Sequence, residues 1–276
     1  MDPAVKQGDT MRGMAWALSV ACAWCLAARS DGQDSAAGLS SDPELGERAT
    51  VSLPDGLVLE LLWVPPATFS MGSDAGTNDE RPPHRVTLSG YWIGVTEVTV
   101  AQWRAVMRDV PARNDAGDDH PVASVTWEEA RDFCARSGLA LPTEAQWEYA
   151  ARGPLGHILP WGDEWDPVRC QSWADRHGHE RTAPVGSFLE GRSWCGALDM
   201  AGNVFEWCRD AYDPGFYASP AATVPNPECT SGRSEQRVLR GGCWGSSPDN
   251  CEATVRCRAK PTFRNPGIGF RVCRRG

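Results

Sequence analysis

Cysteine is the residue type with the widest chemical range in this chain. The 276 residues include 11 cysteines, more than a typical cytosolic chain without metal clusters carries. The single C-x-x-C pair, Cys22 and Cys25, lies inside an apolar run, where a zinc or redox role is not expected. We therefore expect some of the other cysteines to form disulfides in an oxidising compartment.

The sequence lacks the motifs of the common enzyme classes. It has no P-loop, no G-x-G-x-x-G after a strand, no H-E-x-x-H and no G-x-S-x-G. His177 and His179 could chelate a metal ion, but two loop histidines this close are more often solvated. His84, after two prolines, is typical of a core or turn histidine. Generic motifs therefore indicate no reaction.

The elements that must position any site are short. Apolar and β-branched residues predict strands at 57–64, 85–88 and 91–95. Three helices are predicted at 99–107, 126–137 and 143–152, each beginning at a threonine cap. Beyond Gly153, glycine, proline, tryptophan and short apolar pieces dominate. This pattern predicts a mixed α+β domain with much irregular chain.

Composition narrows the classes of partner. The formal net charge is −9, which argues against a nucleic-acid partner because phosphate backbones select a basic face. The 13 tryptophans outnumber the 4 tyrosines. Indole rings bury large areas and need partners for their N–H groups, so we expect tryptophans to anchor the loops.

The N-terminus indicates export. Lys6 and Arg12 precede an apolar run at residues 14–28, a length of roughly 15 residues that suits a signal peptide better than a membrane span. We assign residues 1–28 to a signal peptide, 29–48 to a linker, and 49–276 to one domain of an exported, periplasmic or secreted protein. A lipid anchor on Cys22 is the alternative, which Ser19 disfavours.

Specific motifs are spread over the domain, and two of them are long: LPTEAQWEYAARG and DMAGNVFEW. The full set is Met71–Ser73, Pro83–Val86, Tyr91–Ile93, Glu97–Thr99, Pro121–Val122, Val125–Ala130, Leu141–Gly153, Pro160–Gly162, Asp199–Trp207, Val238–Trp244 and Gly269–Arg271. In this order they resemble the formylglycine-generating enzyme, or sulfatase-modifying factor, family. The resemblance covers about residues 58–275 and implies an α+β, irregular, loop-rich fold related to C-type-lectin-like domains, with few short sheets and short helices.

The resemblance implies a calcium site. The implied ligands are the Asp199 side chain, the Gly202 and Val204 carbonyls and the Glu206 carboxylate. Such a mixture of carboxylates and turn carbonyls is what calcium prefers. The alternative is that the two acids only cap and hydrogen-bond the loop. A second family site matches Ser172, Trp173 and His177, a poorer ligand set that we expect to be empty.

The resemblance also implies oxidase chemistry. The family's enzymes oxidise a cysteine of a client sulfatase to formylglycine with copper(I) and oxygen, and two cysteines hold the copper. Those cysteines follow the Arg-Gly-Gly segment at offsets that lead from Gly242 to Ser246 and Cys251. Copper(I) prefers thiolate sulfur to a hydroxyl oxygen. Cys243 stands where the enzymes usually have serine, and it could pair with Cys251 as a metal ligand or in a disulfide.

Two functions follow from this pattern. One is an oxidase acting on an exported sulfatase or another protein client, weakened because Ser246 replaces one thiol. The other is a non-catalytic, lectin-like binding module, in which Cys251 is a small buried residue or part of a cystine. The family also joins a helix cysteine to the C-terminal strand; here that implies Cys134 and Cys273, although Val272 holds the expected place.

Overall fold

A computed structural model describes residues 43–112, 114, 116–174, 180–232 and 235–276. The predicted signal peptide, most of the predicted linker, His177 and His179 lie outside these residues. Within the described ranges, no helix is long and apolar enough to cross a membrane.

The first sheet joins the two ends of the described domain. Its four strands lie in the order β1 (Arg48–Ser52), β2 (Val58–Val64), β5 (Tyr91–Gly94) and β10 (Cys273–Arg275), and all neighbours are antiparallel. The strands predicted at 57–64 and 91–95 are confirmed. Strand β1 was not predicted, and it begins one residue before the expected domain start.

Two further sheets complete the β-structure of the described residues. A hairpin pairs β3 (Ala67–Met71) with β4 (His84–Leu88), which confirms the strand predicted at 85–88. The third sheet has the order β8 (Cys257–Ala259), β7 (Arg237–Arg240), β6 (Phe205–Ala211) and β9 (Ile268–Gly269). In this sheet β9 runs parallel to β6, and the other pairs are antiparallel.

The three predicted helices are confirmed to within one residue. They are α1 (Val100–Met107), α2 (Trp127–Arg136) and α3 (Glu144–Arg152). Each begins at a threonine whose hydroxyl accepts the N3 amide, while the N3 glutamine or glutamate returns a bond to the threonine amide. Among the described residues beyond α3, the only helical elements are short 3₁₀ turns. Predominantly short elements and long loops confirm the predicted irregular, loop-rich α+β class.

Indole N–H groups connect distant segments of the core. Trp127 donates to the carbonyl of Cys208 at 2.8 Å, and Trp207 donates to the carbonyl of Val125 at 3.0 Å. Each ring thus bonds to the backbone beside the other, across about 80 residues of chain. This reciprocal pair ties the start of α2 to β6, as the tryptophan content predicted.

The nine cysteines in the described ranges are separate thiols. Cys134 lies on the buried face of α2, and Cys273 lies at the start of β10. Burial raises the pKa of both thiols, so each is protonated at neutral pH. The implied Cys134–Cys273 disulfide therefore stays a prediction about the oxidised protein.

Candidate functional site

The loop at residues 199–204 leads into β6 and has a tightly turned backbone. Asp199, Gly202 and Asn203 all have positive φ, at 55°, 80° and 55°. A Cβ atom on Gly202 would lie 2.2 Å from the carbonyl oxygen of Gln171, so only glycine fits there. The turn thus fixes the position of Asp199 relative to β6, where Glu206 is the second residue.

Glu206 is fully buried, and its carboxylate already accepts three hydrogen bonds. Arg271 donates to both of its oxygens, Nε to Oε2 at 2.6 Å and Nη2 to Oε1 at 2.7 Å. Trp147 Nε1 donates to Oε2 at 2.8 Å. A bidentate guanidinium pair is among the strongest of charge-assisted interactions. Glu206 therefore works here as the ion-pair partner of Arg271, and three donors occupy most of the roughly four acceptor positions of its carboxylate.

Asp199 has a different environment. Its Oδ2 accepts the amide of Gly186 at 2.6 Å, and the residue is 5 % exposed. Burial raises the pKa of this carboxyl to about 6, with Glu206 adding to the increase. Asp199 is thus an acid without a cation of its own in direct contact.

Glu97 is the buried acid that the sequence reasoning missed. It follows β5, is 0 % exposed, and neither carboxylate oxygen accepts a hydrogen bond. It lies within hydrogen-bonding reach of the Asp199 carboxyl, and the two can bond only when one of them holds a proton. Burial and the nearby Asp199 raise the pKa of Glu97 well above its usual range.

These side chains form one group, which we call the acid cluster: Glu97, Asp199, Glu206 and Arg271. Three carboxylates against one guanidinium leave two net negative charges when all three acids are ionised. No three His, Cys, Asp or Glu side chains of the described residues converge as ligands of one metal ion. A calcium ion fits this cluster by charge, and the Glu206 carboxylate that the resemblance implies as a ligand is also the ion-pair partner of Arg271.

The second charged group was also missed as a group, although its residues lie in the recognised motifs. We call it the arginine cluster: Glu144, Glu148, Arg152, Arg240 and Arg256. Glu144 accepts from Arg256 at 2.8 and 2.9 Å, and Glu148 accepts from Arg152 at 2.7 Å. The LPTEAQWEYAARG motif thus supplies structural ion pairs, and helical i, i+4 spacing of its acids was the available signal.

The Ser246 side chain contacts Cys243. The Cys243 amide donates to Ser246 Oγ at 2.9 Å, and Ser246 Oγ lies 3.6 Å from Cys243 Sγ. The serine is 6 % exposed. The hydroxyl therefore caps the turn that follows Gly242, as a small polar residue would.

Cys251 is sealed in the interior. It is 0 % exposed, and its Sγ would be 2.8 Å from a Cβ atom on Gly242. It packs in a small cluster with Cys170 and Ala201, which Trp161 and Trp165 partly cover. Burial raises the pKa of Cys251 well above its usual range, and the Cys170 and Cys243 thiols add to this increase. The structure thus brings Cys170 to Cys251, a neighbour that sequence offsets did not indicate.

Copper(I) fits this donor set poorly at the predicted pair. Ser246 offers a hard oxygen that is already hydrogen-bonded, and Cys251 offers one thiol whose burial disfavours the thiolate. Cys170 would be the soft second donor, with a pKa raised by burial to about 12. Of the residues at the predicted second calcium position, Ser172 is buried and Trp173 is 64 % exposed. His177 lies outside the described residues.

Comparison with known proteins settles the family. The sulfatase-modifying factor enzyme 1-like domain matches residues 48–276. The chain belongs to this family. Over 231 residues it is 35 % identical to the formylglycine-generating enzyme of Streptomyces coelicolor, covering 78 % of this chain and 66 % of that enzyme.

Other relatives carry different names. The chain is 33 % identical over 247 residues to the serine/threonine-protein kinase Pkn1 of Chlamydia trachomatis, covering 80 % of this chain but only 39 % of Pkn1. It is 26 % identical over 306 residues to the inactive Cα-formylglycine-generating enzyme 2 of Bos taurus, covering 85 % and 96 %. PvdO from Pseudomonas aeruginosa superposes with a TM-score of 0.73 at 25 % identity, covering 85 % and 100 %. Proteins with this fold thus have several different names.

Proposed function

We propose that this domain is a non-oxidase member of the sulfatase-modifying-factor family that binds a protein client without converting its cysteine. The observation that carries this proposal is Ser246. Its hydroxyl caps the turn at Cys243 instead of presenting a thiol opposite Cys251. One soft ligand is a much weaker holder of copper(I) than two.

The burial of Cys251 supports the same conclusion. A thiol that reacts with a client cysteine must be reachable from the surface and must form a thiolate. Cys251 has neither, because it is fully buried and its pKa is raised. Cys243 is half-buried and closer to the surface, but its neighbour is the Ser246 hydroxyl.

Aromatic residues at the surface supply a means of recognition. Trp173 is 64 % exposed, and its amide donates to the Ser246 carbonyl at 3.0 Å, which places it beside the Cys243 turn. Trp244 is half-buried and follows Cys243 directly. Exposed indoles are enriched where proteins bind partners. The proposed client, an exported sulfatase or another exported protein, would contact this surface.

Calcium is part of the proposal as a structural ion. Asp199 and the carbonyls of Gly202 and Val204 would hold it, and the ion would supply positive charge to the acid cluster. The inactive relative from Bos taurus matches over nearly its whole length, which supports loss of oxidation within an intact scaffold.

A second candidate function rests on one specific contact. Cys170 and Cys251 lie in the same buried cluster, so together they could supply the two thiols of an oxidase with Cys170 in place of Ser246. This candidate makes the opposite prediction about activity, and one assay separates the two.

The assay offers the reduced, copper-loaded protein a peptide containing Cys-x-Pro-x-Arg. We expect no aldehyde by mass spectrometry, and a change in tryptophan fluorescence on binding that Trp173→Ala reduces. Aldehyde formation that both Cys170→Ser and Cys251→Ser abolish would overturn the proposal in favour of the second candidate. Aldehyde that only Cys243→Ser abolishes would assign Cys243 as the ligand.

A further inference from the structure

A groove of about 540 Å³ opens beside β8, at the end of the third sheet. Its lining includes Arg258, Ala259, Lys260, Phe263 and Arg264, and we call it the basic groove. Because β8 is the last strand in the order of its sheet, one of its edges has no neighbouring strand among the described residues. Such an edge presents backbone N–H and C=O groups that can bond another extended chain.

The basic groove is positively charged on a chain whose formal net charge is −9. Arg258 is exposed, and its Nη1 donates to the neutral hydroxyl of Tyr212 at 3.0 Å. Lys260 is also exposed, and within the described residues neither it nor Arg258 forms an ion pair. Arg264 pairs with Glu129 at 2.5 Å. Two cations therefore remain to attract a negatively charged ligand.

The opposite side of the basic groove is apolar. Arg258 and Ala259 are successive residues of β8, so their side chains point to opposite faces of the sheet. Ala259 packs in the same buried cluster as Trp127 of α2. The segment after β8 runs past this helix, because the Trp127 amide donates to the Pro261 carbonyl at 2.9 Å. Phe263 lies in that segment and is 48 % exposed, so its ring offers apolar surface to a ligand.

Charges at a strand edge often serve only to prevent pairing with another chain. Arg258 and Lys260 are sufficient for that role, and it does not account for an exposed aromatic ring in the same groove. An extended chain of alternating acidic and apolar residues matches the whole lining. Since side chains alternate along a strand, its acids would face the two cations while its apolar residues face Ala259 and Phe263.

We propose that the basic groove binds an extended acidic segment of a partner protein, which adds to the free edge of β8 as a further strand. Backbone hydrogen bonds then supply affinity, and the alternation of acidic and apolar side chains supplies specificity. The lining of the basic groove includes neither Trp173 nor Cys243. The interaction is therefore separate from the client surface of the proposed function, and each can be tested without the other.

The test measures the binding of a fluorescein-labelled peptide of alternating glutamate and valine by fluorescence anisotropy, at low ionic strength because salt screens exposed charges. A block peptide of the same composition, with its glutamates before its valines, has the same charge without the alternation. Lys260→Glu reverses a charge in the basic groove. Arg85→Glu, the matched control, reverses an exposed arginine of β4 in another sheet. Melting temperatures verify that both variants fold.

We expect the block peptide to bind about tenfold more weakly than the alternating peptide, because it cannot match both sides of the groove. Lys260→Glu should weaken the alternating peptide about tenfold, and Arg85→Glu should change its Kd less than about twofold. Phe263→Ser should also weaken binding. Hydrogen exchange of the amides at residues 257–259 should slow in the complex, because strand addition bonds the backbone of β8.

Equal binding of the two peptides would overturn the proposal, since it would leave only attraction between charges. Unchanged exchange at residues 257–259, an equal loss in Arg85→Glu, or no binding at low ionic strength would also overturn it. Dextran sulfate that displaces the peptide and binds more tightly would assign the groove to a polyanion instead. A dimer that the peptide dissociates in sedimentation would assign it to a second copy of this chain. None of these results bears on aldehyde formation.

Discussion

The two buried charge clusters carry excess charge of opposite sign. In the arginine cluster, three guanidiniums face two glutamates, which leaves one excess positive charge. Backbone carbonyls accept the remaining N–H groups: Arg240 donates to the carbonyls of Ala253 and Thr254 at 2.6 and 3.0 Å. In the acid cluster, three carboxylates face Arg271 alone. A buried excess of carboxylate has fewer local remedies, because carbonyl oxygens cannot donate to it.

The difference shows which kind of buried charge the chain's own backbone can bond. Backbone carbonyls are abundant in irregular loops, so a loop-rich fold can satisfy extra arginines from its own chain. Free amide donors are fewer, and in the acid cluster one amide, that of Gly186, reaches Asp199. The chain's own carbonyls thus bond the guanidiniums of the first cluster, whereas the second cluster keeps an excess of carboxylate.

The largest expected losses of stability come from replacing an arginine of either cluster. Arg271→Met leaves three buried acids with no guanidinium, and we expect it to cost more than the roughly 3–5 kcal/mol typical of breaking a buried pair, enough to prevent folding. Arg240→Met should cost about 3–5 kcal/mol, because Arg152 and Arg256 still bond Glu148 and Glu144. Soluble yield and urea unfolding measure both effects.

The control is a surface pair of the same type. Arg104 bonds Asp118 in a bidentate contact, with both side chains about half exposed. Arg104→Met should leave the urea midpoint close to that of the wild type, because exposed ion pairs contribute little to stability. Equal losses for Arg271→Met and Arg240→Met would show that the two clusters do not differ in their need for cations.

Beside the arginine cluster, Asp210 should make the free energy of unfolding depend on pH. Asp210 accepts the amides of Glu144 and Cys229 at 2.8 Å each, and burial with nearby Glu144 raises its pKa to about 7. Between pH 4 and 7 the folded protein holds a proton at Asp210 that the unfolded chain has released. The free energy of unfolding therefore falls as pH rises through this window.

Asp210→Asn removes this titration. The stability of the wild type relative to the variant should decrease by about 2–4 kcal/mol from pH 4 to pH 7. Urea unfolding of both proteins at several pH values measures the difference, in which other titrating groups cancel. Parallel stability curves would mean that Asp210 stays ionised and that the arginines reach it.

Trp147 connects the two clusters and tests their independence. Its Nε1 donates to Glu206, while the Arg240 guanidinium lies 5.4 Å from its ring centre. Trp147→Phe removes the donor and part of the ring, and we expect a loss of about 1–3 kcal/mol. A double-mutant cycle with Arg240→Met should show coupling of about 0.5 kcal/mol or more. Strict additivity would contradict a link through the indole.

The smallest effect on stability is expected at the turn after Gly242. Ser246→Cys weakens the cap on the Cys243 amide and should cost about 1 kcal/mol or less. It should raise copper(I) affinity, measured by competition with a chromophoric chelator, because it adds a soft donor near Cys243. An unchanged affinity would show that position 246 cannot share a metal ion with either cysteine.

Local patterns predicted the helices and several strands because caps and periodicity depend on neighbouring residues. Thr99, Thr126 and Thr143 all begin helices as expected. The ion-pair partners could not be predicted, since Arg240 and Arg256 meet Glu144 across about 100 residues of chain. The proximity of Glu97 to Asp199 and of Cys170 to Cys251 depends in the same way on long-range packing.

The placement of β9 and β10 has a consequence for synthesis on the ribosome. Each closes one edge of a four-stranded sheet, and Arg271 lies between them. Until residues 268–275 have left the exit tunnel, both sheets lack an outer strand and the acid cluster lacks its only guanidinium. Such late, long-range pairing slows folding and exposes strand edges to aggregation. The nascent domain is thus expected to depend on chaperones until its last strands emerge.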